Sequence, residues 1–357
     1  MNTDYDSQVL QYLGIVKMKI RVFGESHAPE IGVEIEGVPK GTVIDLDALQ
    51  AFLDRRAPGN GQGGMSTPRK EPDRVEVESG FGSSGISGED AASPLRVADG
   101  TKIRAVIRNT NTRPQDYANV TTVPRPGHAD YASWLKCGKI PTGGGKWSGR
   151  MTAPLCIAGG IALQMLAKQG VTIAANVIRC GGMDCVGGTP PPLDRVPDGD
   201  SVGGVVEVVA TGFPAGYGDV GTDGLESKLA AAFFGIPAVK GVEFGAGFKL
   251  AEMVGSEAND AFEVKRDQGS GIRDQVVLRT NHCGGILGGV SVGMPIVARL
   301  AFKPTPSISL EQDSVDLATM TPAKITVKGR HDRCVAFRGA VAAEAAMAIV
   351  LADELEV

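Results

Sequence analysis

The residues of this chain best suited to acid–base chemistry are its four histidines, which all stand in glycine-, proline- or charge-rich connections. They are His27, His128, His282 and His331. Histidine changes its charge near neutral pH, so a positioned imidazole can donate or accept a proton during a reaction. One histidine in such a setting is more often a capping or surface residue. Four in the same kind of setting indicate a functional site.

Cationic side chains stand beside the same connections. They are Arg56, Arg125, Lys146, Arg150, Lys303 and Arg330. Each of them alone is typical of a solvated surface charge. Taken with the histidines, they suit a small substrate that carries several anionic groups, because arginine can hold a carboxylate or a phosphate with two parallel hydrogen bonds.

A glycine-rich segment near the C-terminal third offers a site for a flat ligand. It reads NHCGGILGGVSVGMP from Asn281, and a strand pattern over Pro295–Phe302 then ends at Lys303-Pro304-Thr305. Glycines let the backbone approach a ligand closely and use its N–H groups as donors. A glycine-rich turn before a buried strand explains these residues equally well, so both interpretations stay open at this point.

Three further segments partly match dinucleotide-binding, P-loop and zinc-binding patterns, but each lacks a feature that the site needs. The segment GFGSSG at 80–85 fits the dinucleotide-binding spacing, but weak apolar periodicity and Pro94 follow it where a helix is needed. The segment GGGK at 143–146 has Trp147 where a P-loop needs Ser or Thr. A zinc site of His282, Cys283, His331 and Cys334 matches no ligand spacing, so no metal is expected.

The bulk properties exclude several classes of protein. The net charge of −5 gives no reason to expect a nucleic-acid partner, and no apolar run approaches the ~20 residues of a membrane span. The six cysteines form no CxxC pair, which is typical of reduced thiols in a cytoplasmic protein. The chain has 49 glycines in 357 residues, and 42% of its residues are hydrophobic. This composition indicates many tight turns within a folded chain.

Helices and strands that position these residues can be predicted from hydrophobic periodicity. Strands are expected over 17–23, 31–36, 74–79, 102–108, 202–210, 239–248 and 295–302. Helices are expected from Asp45 to Pro58, and over Ala153–Lys168, Leu225–Phe234 and Val341–Leu355. The two kinds of element are interspersed without a regular βαβ alternation, and no linker divides the chain.

Several segments resemble the chorismate synthase family, and they occur in the family's order from about Gly14 to Leu355. They are GESHAPEIGVEIEGVPKG, RRAPG…STPRKEPD, RNTNTRPQDY, RPGHADY, IPAVKGVEFG, GGILGG…KPT and GRHDRC. The resemblance implies an α/β (α+β) fold, a β-α-β sandwich with a helical layer between antiparallel sheets. It implies one domain over 15–357 and a homotetramer, and residues 1–14 before it have the composition of a solvated leader.

The resemblance also implies a reaction, the anti 1,4-elimination of phosphate from 5-enolpyruvylshikimate 3-phosphate to give chorismate. This lyase belongs to the shikimate pathway, which leads to aromatic amino acids. It requires reduced FMN although there is no net redox change, and NADPH is a candidate reductant of the flavin. The substrate carries two carboxylates and a phosphate, which explains a cationic site.

Roles for individual residues follow from the same resemblance. His128 would protonate the leaving phosphate, His27 would stabilise the reduced flavin near its N1–O2 edge, and Asp332 would take part in proton transfer at flavin N5. Substrate anions would be held by Arg56, Arg125, Arg150 and Arg330. The flavin contacts would be Lys146, Trp147, Ser148, Pro237, Ala238, Gly288, Lys303, Pro304, Thr305, Pro306, Ser307 and Arg330.

The chain also departs from the family's usual residues at several positions. Ala28, Ala57, Gln62, Trp147 and Met151 stand where the family commonly has other side chains. Two alternatives therefore stay open beside a chorismate synthase. One is a non-catalytic or impaired FMN-binding homologue, and the other is a metal-free phosphatase acting on a small acidic cyclitol phosphate.

Overall fold

The computed structural model describes residues 18–58, 64–67, 72–82, 93–110, 120–266, 275–327 and 331–357. The predicted leader over residues 1–14 lies outside these ranges, and so do Gln62 and Arg330. The segment after Gly82, where the dinucleotide-binding spacing was considered, lies outside them as well.

Strands and helices alternate irregularly along the chain. The strands are β1 Lys19–Gly24, β2 Glu30–Glu36, β3 Val43–Asp45, β4 Val75–Ser79, β5 Leu95–Val97, β6 Ile103–Arg108, β7 Thr172–Cys180, β8 Met183–Asp184, β9 Gly204–Thr211, β10 Val239–Phe244, β11 Phe262–Lys265, β12 Gln275–Leu278, β13 Ile286–Leu287, β14 Val290–Ser291, β15 Ile296–Phe302, β16 Gln312–Asp316 and β17 Thr321–Ile325. The helices are α1 Leu46–Arg56, α2 Asp130–Cys137, α3 Thr152–Lys168, α4 Leu225–Phe234, α5 Gly255–Ala258 and α6 Ala336–Leu355.

Two antiparallel sheets form the outer layers. The first has four strands in the order β1-β2-β6-β4, and the second has five in the order β10-β15-β9-β7-β8. In β2, Ile31, Val33 and Ile35 are fully buried, whereas Glu34 and Glu36 between and after them are not. This period of two places one face of the sheet against the core.

A layer of helices lies between the sheets. Helix α3 packs against β1, β2 and β6, helix α6 packs against β7 and β9, and the two helices contact each other. Their contact is close because both are rich in small residues: a Cβ added at Gly159 would collide with the backbone of Ala345. Core residues from both sheets and from these helices form one buried cluster. The predicted sandwich with a helical layer between antiparallel sheets is therefore confirmed.

The starts of two helices can be compared with the sequence prediction. Asp45 accepts hydrogen bonds from the backbone N–H groups of Asp47 and Ala48 and so caps α1, as the sequence predicted. Helix α6 begins at Ala336, five residues before the predicted start at Val341.

The stretch Gly149–Lys168 is long and apolar enough to cross a membrane, but 72% of its most apolar window is buried inside the protein. That degree of burial is expected of a core helix.

Candidate active site

A cavity of about 450 Å³ lies where seven separate parts of the chain meet. Its volume is within the range of small-molecule sites, roughly 300–1,000 Å³. Of the predicted site residues, those that line it are His27, Arg125, His128, Lys146, Trp147, Ser148, Arg150, Pro237, Ala238, Lys303, Thr305, Pro306, Ser307 and Asp332. Side chains that are up to 305 positions apart in the sequence thus share one cavity.

Three predicted residues lie elsewhere. Arg56 is buried beneath the cavity and is not part of its lining. Gly288 occupies the turn between β13 and β14 and adds nothing to the lining, and a Cβ added there would meet open space. Pro304 is exposed and also lies outside the lining. The fourth, Arg330, lies outside the described residues.

The lining carries a strong excess of positive charge. Among the residues that the structure describes, five cationic side chains, Arg125, Lys146, Arg150, Lys303 and Arg338, line the cavity together with one carboxylate, Asp332. Burial lowers the pKa of Lys303, and the nearby Lys240 cation lowers it further. A cavity with this charge balance favours a ligand that brings several anionic groups.

A turn of three consecutive glycines positions two of the imidazoles. Gly143, Gly144 and Gly145 all have positive φ, at 61°, 85° and 52°, a conformation that other residues rarely adopt. A Cβ at Gly143 would collide with the ring of His27, and a Cβ at Gly144 would lie 3.0 Å from Cε1 of His128. The two imidazoles therefore pack against neighbouring residues of the same turn.

His128 belongs to a compact charged cluster. Its Nδ1 lies 2.6 Å from Asp130 Oδ1, and the side chain of Asp130 is fully buried. Arg125 contacts both oxygens of that carboxylate, through Nε at 2.7 Å and Nη2 at 2.8 Å, and also donates to Ser307 Oγ at 3.0 Å. Arg125 is thus held by Asp130 at the wall of the cavity.

The pKa values in this cluster are shifted in a consistent direction. Burial raises the pKa of Asp130, but hydrogen bonds from Arg125 and His128 more than offset this and hold it well below its usual range. Burial lowers the pKa of His128, and the Arg125 and Lys303 cations lower it further, against the opposing effect of Asp130. Without a ligand, the neutral imidazole and the ionised carboxylate predominate at neutral pH.

Arg150 is fixed by a second buried carboxylate. Its Nη1 pairs with Asp73 Oδ1, while Arg56 Nη1 pairs with Asp73 Oδ2 at 2.6 Å. Arg56 also donates to Thr152 Oγ1 at 2.9 Å and to the carbonyl of Gly149 at 3.1 Å. Burial and the Arg338 cation lower the pKa of Arg56 to about 10. Arg56 therefore supports the wall that carries Arg150 and does not itself face the cavity.

Asp332 lies at the start of the segment that leads into α6. Its carboxylate accepts a hydrogen bond from Thr67 N at 2.9 Å and forms an ion pair with Arg338 at 3.2 Å. Asp332 is thus paired with Arg338 and also lines the cavity.

One wall of the cavity suits a flavin. Among the residues that the structure describes, Thr305 Oγ1 is buried without a hydrogen-bond partner, so it is available to a ligand. Ala238 also lines the cavity and has φ of 75°, a strained backbone conformation for a residue with a Cβ. Both belong to the predicted flavin contacts. A polar group without a partner and a strained backbone are features that occur at ligand sites, so these residues fit the cofactor.

Several residues of the site were not singled out from the sequence. They are Ser26, Thr67, Asp130 and Arg338. Asp130 stands two residues after His128, and this short spacing was the available signal. Arg338 stands six residues after Asp332 in the first turn of α6, before the predicted start of that helix at Val341. The residues described contain no group of three or more His, Cys, Asp or Glu side chains that could hold a metal ion.

Comparisons with known proteins agree with this geometry. The family described as "Chorismate synthase" matches residues 18–355. Chorismate synthase of Lancefieldella parvula is 42% identical over 382 residues, covering 95% of this chain and 94% of the relative. That of Methanothermobacter thermautotrophicus is 40% identical, covering 94% and 92%. A crystal structure of chorismate synthase has the same fold, with a TM-score of 0.66 at 24% identity, covering 95% of this chain and 91% of that one. The chain belongs to the chorismate synthase family.

Proposed function

We propose that this protein eliminates phosphate from 5-enolpyruvylshikimate 3-phosphate to give chorismate, with reduced FMN bound in the cavity. The observation that carries the proposal is the contact of His27 and His128 with one glycine turn, inside a cavity lined by five cations. An acid beside a cationic site is what the departure of phosphate from a substrate with three anionic groups requires. Family membership supports the same reaction.

The bond changes define what the residues must do. The C–O bond to phosphate breaks, a proton leaves the ring, and a new double bond forms without net oxidation or reduction. Reduced FMN, when bound, supplies electron density that assists the departure of phosphate. The protein must therefore hold the anions of the substrate, keep the reacting groups away from bulk water and handle protons at both ends of the elimination.

Arg125, Arg150, Lys146 and Lys303 are the groups of the lining that we propose to hold substrate anions. Arg125 and Arg150 are nearly buried, and each is anchored by a carboxylate on the side away from the cavity. Such anchoring fixes a guanidinium before the substrate arrives, so less conformational entropy is lost on binding. Arg330 keeps its proposed role in binding substrate and flavin from the family resemblance alone.

His128 is the proposed donor of a proton to the leaving phosphate. In the protein without ligand its pKa is lowered by burial and by neighbouring cations. An anionic phosphate in the cavity has the opposite effect, because it stabilises the imidazolium. The substrate thus brings the acid to the protonation state that its own departure requires.

His27 and Asp332 are proposed for the cofactor side of the cavity. His27 packs on Gly143, and Asp332 is held by Thr67 N and Arg338. Lys146, Trp147, Ser148, Pro237, Ala238, Lys303, Thr305, Pro306 and Ser307 are the lining residues that would hold FMN. Of these, Thr305 offers the hydroxyl that has no other partner among the described residues.

We also propose a cytoplasmic homotetramer, as the family resemblance implies. Phe262, Val264 and Val276 project apolar side chains from β11 and β12, and they are 65%, 60% and 65% exposed. Such a surface is a reasonable site for contact between subunits. Light scattering on the purified protein will give the mass, and a stable monomer at micromolar concentration would contradict this assembly.

Product analysis tests the proposed reaction. The protein is mixed anaerobically with the substrate and FMN reduced by dithionite, and both phosphate and chorismate are measured. We expect equimolar products with reduced FMN and none with oxidised FMN or without flavin. Phosphate release without flavin would indicate the phosphatase, and FMN binding without release would indicate the non-catalytic homologue. Replacing dithionite by NADPH determines whether the protein can reduce its own flavin.

A further inference from the structure

We propose that Asp130 is a positioning residue that fixes the tautomer of His128, so that Nδ1 carries a proton and Nε2 exchanges a proton with the ligand. The proposal deepens the function given above, and it rests on that function only for the role of His128 in the reaction. The tautomer itself can be tested without any turnover.

The carboxylate of Asp130 has a defined set of donors. It accepts hydrogen bonds from the Arg125 backbone N–H at 3.0 Å, from the Arg125 guanidinium at 2.7 and 2.8 Å, and from His128 Nδ1 at 2.6 Å. Asp130 is also the first residue of α2, where the helix dipole favours a negative charge. An ionised carboxylate only accepts hydrogen bonds, so the proton of its contact with His128 must lie on Nδ1.

Arg125 provides a competing interaction that makes the role of Asp130 decisive. Its Nη2 lies 3.1 Å from the same Nδ1 of His128. A guanidinium only donates, so this contact favours a lone pair on Nδ1 and the opposite tautomer. The contact to Asp130 is shorter, at 2.6 Å, and joins the imidazole to an ionised acceptor, which makes it the stronger of the two. Asp130 therefore determines the tautomer against Arg125.

The surroundings of Nε2 agree with this assignment. A Cβ built on Gly144 would lie 3.1 Å from Nε2, so the absence of a side chain there gives this nitrogen room at the cavity. The charged groups that face His128 are Asp130 from α2, Arg125 from the preceding loop and Lys303 from the end of β15. Lys146, which follows the glycine turn, lines the same cavity. All but Asp130 are cations, so the carboxylate is the group that favours a protonated Nδ1.

The test is a nitrogen-15 spectrum of the imidazoles in the full-length, flavin-free protein at neutral pH. The chain has four histidines, and His128→Gln identifies the signals of His128. In the wild type we expect a protonated Nδ1 and an unprotonated Nε2. In Asp130→Asn the amide N–H and Arg125 both donate to Nδ1, so the tautomer should reverse. Asp130→Glu, which keeps the carboxylate, should retain the wild-type tautomer.

Asp260→Asn is the matched control, because Asp260 is the buried carboxylate beside another histidine, His282, at 3.4 Å. It should leave the His128 signals unchanged. A wild-type His128 that carries its proton on Nε2, or an unchanged spectrum in Asp130→Asn, would overturn the inference. If Asp130→Asn does not fold, the wild-type spectrum alone still decides the tautomer.

Turnover gives the second readout. With reduced FMN, single-turnover phosphate release by Asp130→Asn should fall by about 10²–10⁴-fold, the usual contribution of a general acid, while FMN affinity is unchanged. A residue that only anchored Arg125 would instead weaken substrate binding at an unchanged maximal rate. If the tautomers are as expected but the wild type forms no chorismate, the proposed function fails and the assignment of the tautomer stands.

Discussion

Asp73 and Asp130 are both fully buried carboxylates that bind arginine beside the candidate active site, but only Asp130 also contacts an imidazole. Asp73 lies between two guanidiniums, Arg56 and Arg150. Asp130 lies between Arg125 and His128. The Asp73 cluster therefore presents to the cavity a guanidinium, Arg150, which keeps its proton. The Asp130 cluster presents an imidazole, His128, which can release one.

This difference shows how one fold provides two kinds of chemistry from similar parts. Burial raises the pKa of Asp73, but the guanidiniums of Arg56 and Arg150 more than offset this and lower it. Asp130 behaves in the same way. Both carboxylates thus remain ionised at neutral pH, and the two clusters differ in the side chains that line the cavity: Arg150 in the first, Arg125 and His128 in the second. Arg150 offers a fixed charge for substrate binding, and His128 offers a proton.

The largest expected effect concerns the partner that can release a proton. His128→Gln should reduce single-turnover phosphate release with reduced FMN by about 10²–10⁴-fold, because a glutamine cannot protonate the leaving group. FMN affinity, measured by titration, should change little. His282→Gln is the matched control, since His282 lies outside the cavity lining, and it should stay near the wild-type rate. A similar rate in both variants would contradict the role of His128.

The next effect concerns Arg56, the partner of Asp73 that does not line the cavity. Arg56 is 1% exposed, so Arg56→Met should leave Asp73 as a buried and underpaired charge and reduce the free energy of unfolding by about 3–5 kcal/mol. The side chain of Arg108, which is 47% exposed, contacts glutamates on the sheet surface. Arg108→Met should therefore reduce the free energy of unfolding far less, because exposed ion pairs contribute little to stability. Denaturant titration will measure both, and equal losses would contradict the comparison.

Asp332 extends the comparison to a third carboxylate, which forms an ion pair with Arg338 and itself lines the cavity. Asp332→Asn should lower the rate of phosphate release by about 10²-fold, since an amide cannot accept and pass on a proton. Folding and FMN affinity should be retained, because the amide oxygen can still accept from Thr67 N. Early melting with normal turnover per folded molecule would show that its pair with Arg338 is purely structural.

The smallest expected effect lies on the flavin wall. Ala238 has φ of 75°, which costs a residue with a Cβ about 1–2 kcal/mol. Ala238→Gly removes this strain but adds flexibility to the unfolded chain, which costs about 0.5–1 kcal/mol. We expect a net stabilisation of about 1 kcal/mol or less in denaturant titration. A clear destabilisation would mean that the methyl group makes packing contacts that outweigh the strain.

Much of the fold could be predicted because its signals are local. Helix α4 has the predicted bounds, Leu225–Phe234, and the cap at Asp45 follows from the side chain that starts α1. The hairpin of β11 and β12 was missed, because Val264–Leu278 contains many charged residues and because Phe262, Val264 and Val276 are exposed instead of buried. Periodicity detects a strand best when one face of it is buried.

The site was predictable where a motif carries the residue itself, and less so where the partner is distant. His128 and Arg150 could be found from the family resemblance. The carboxylate that holds Arg150 is Asp73, which lies 77 positions away, and no local pattern joins them. Arg56 illustrates the same limit: taken alone it was typical of a solvated surface charge, but in the last turn of α1 its side chain is buried.

The pKa of His128 in the presence of substrate tests the central claim most directly. Nitrogen-15 spectra across a pH series, recorded on flavin-free protein with and without 5-enolpyruvylshikimate 3-phosphate, will measure it in a complex that cannot turn over. Without substrate the pKa should lie below the usual value of His, about 6.5, because burial and cations disfavour the imidazolium. With substrate bound it should rise, because the phosphate favours the imidazolium. A pKa that stays unchanged or falls when substrate is bound would contradict the account of His128 as the proton donor.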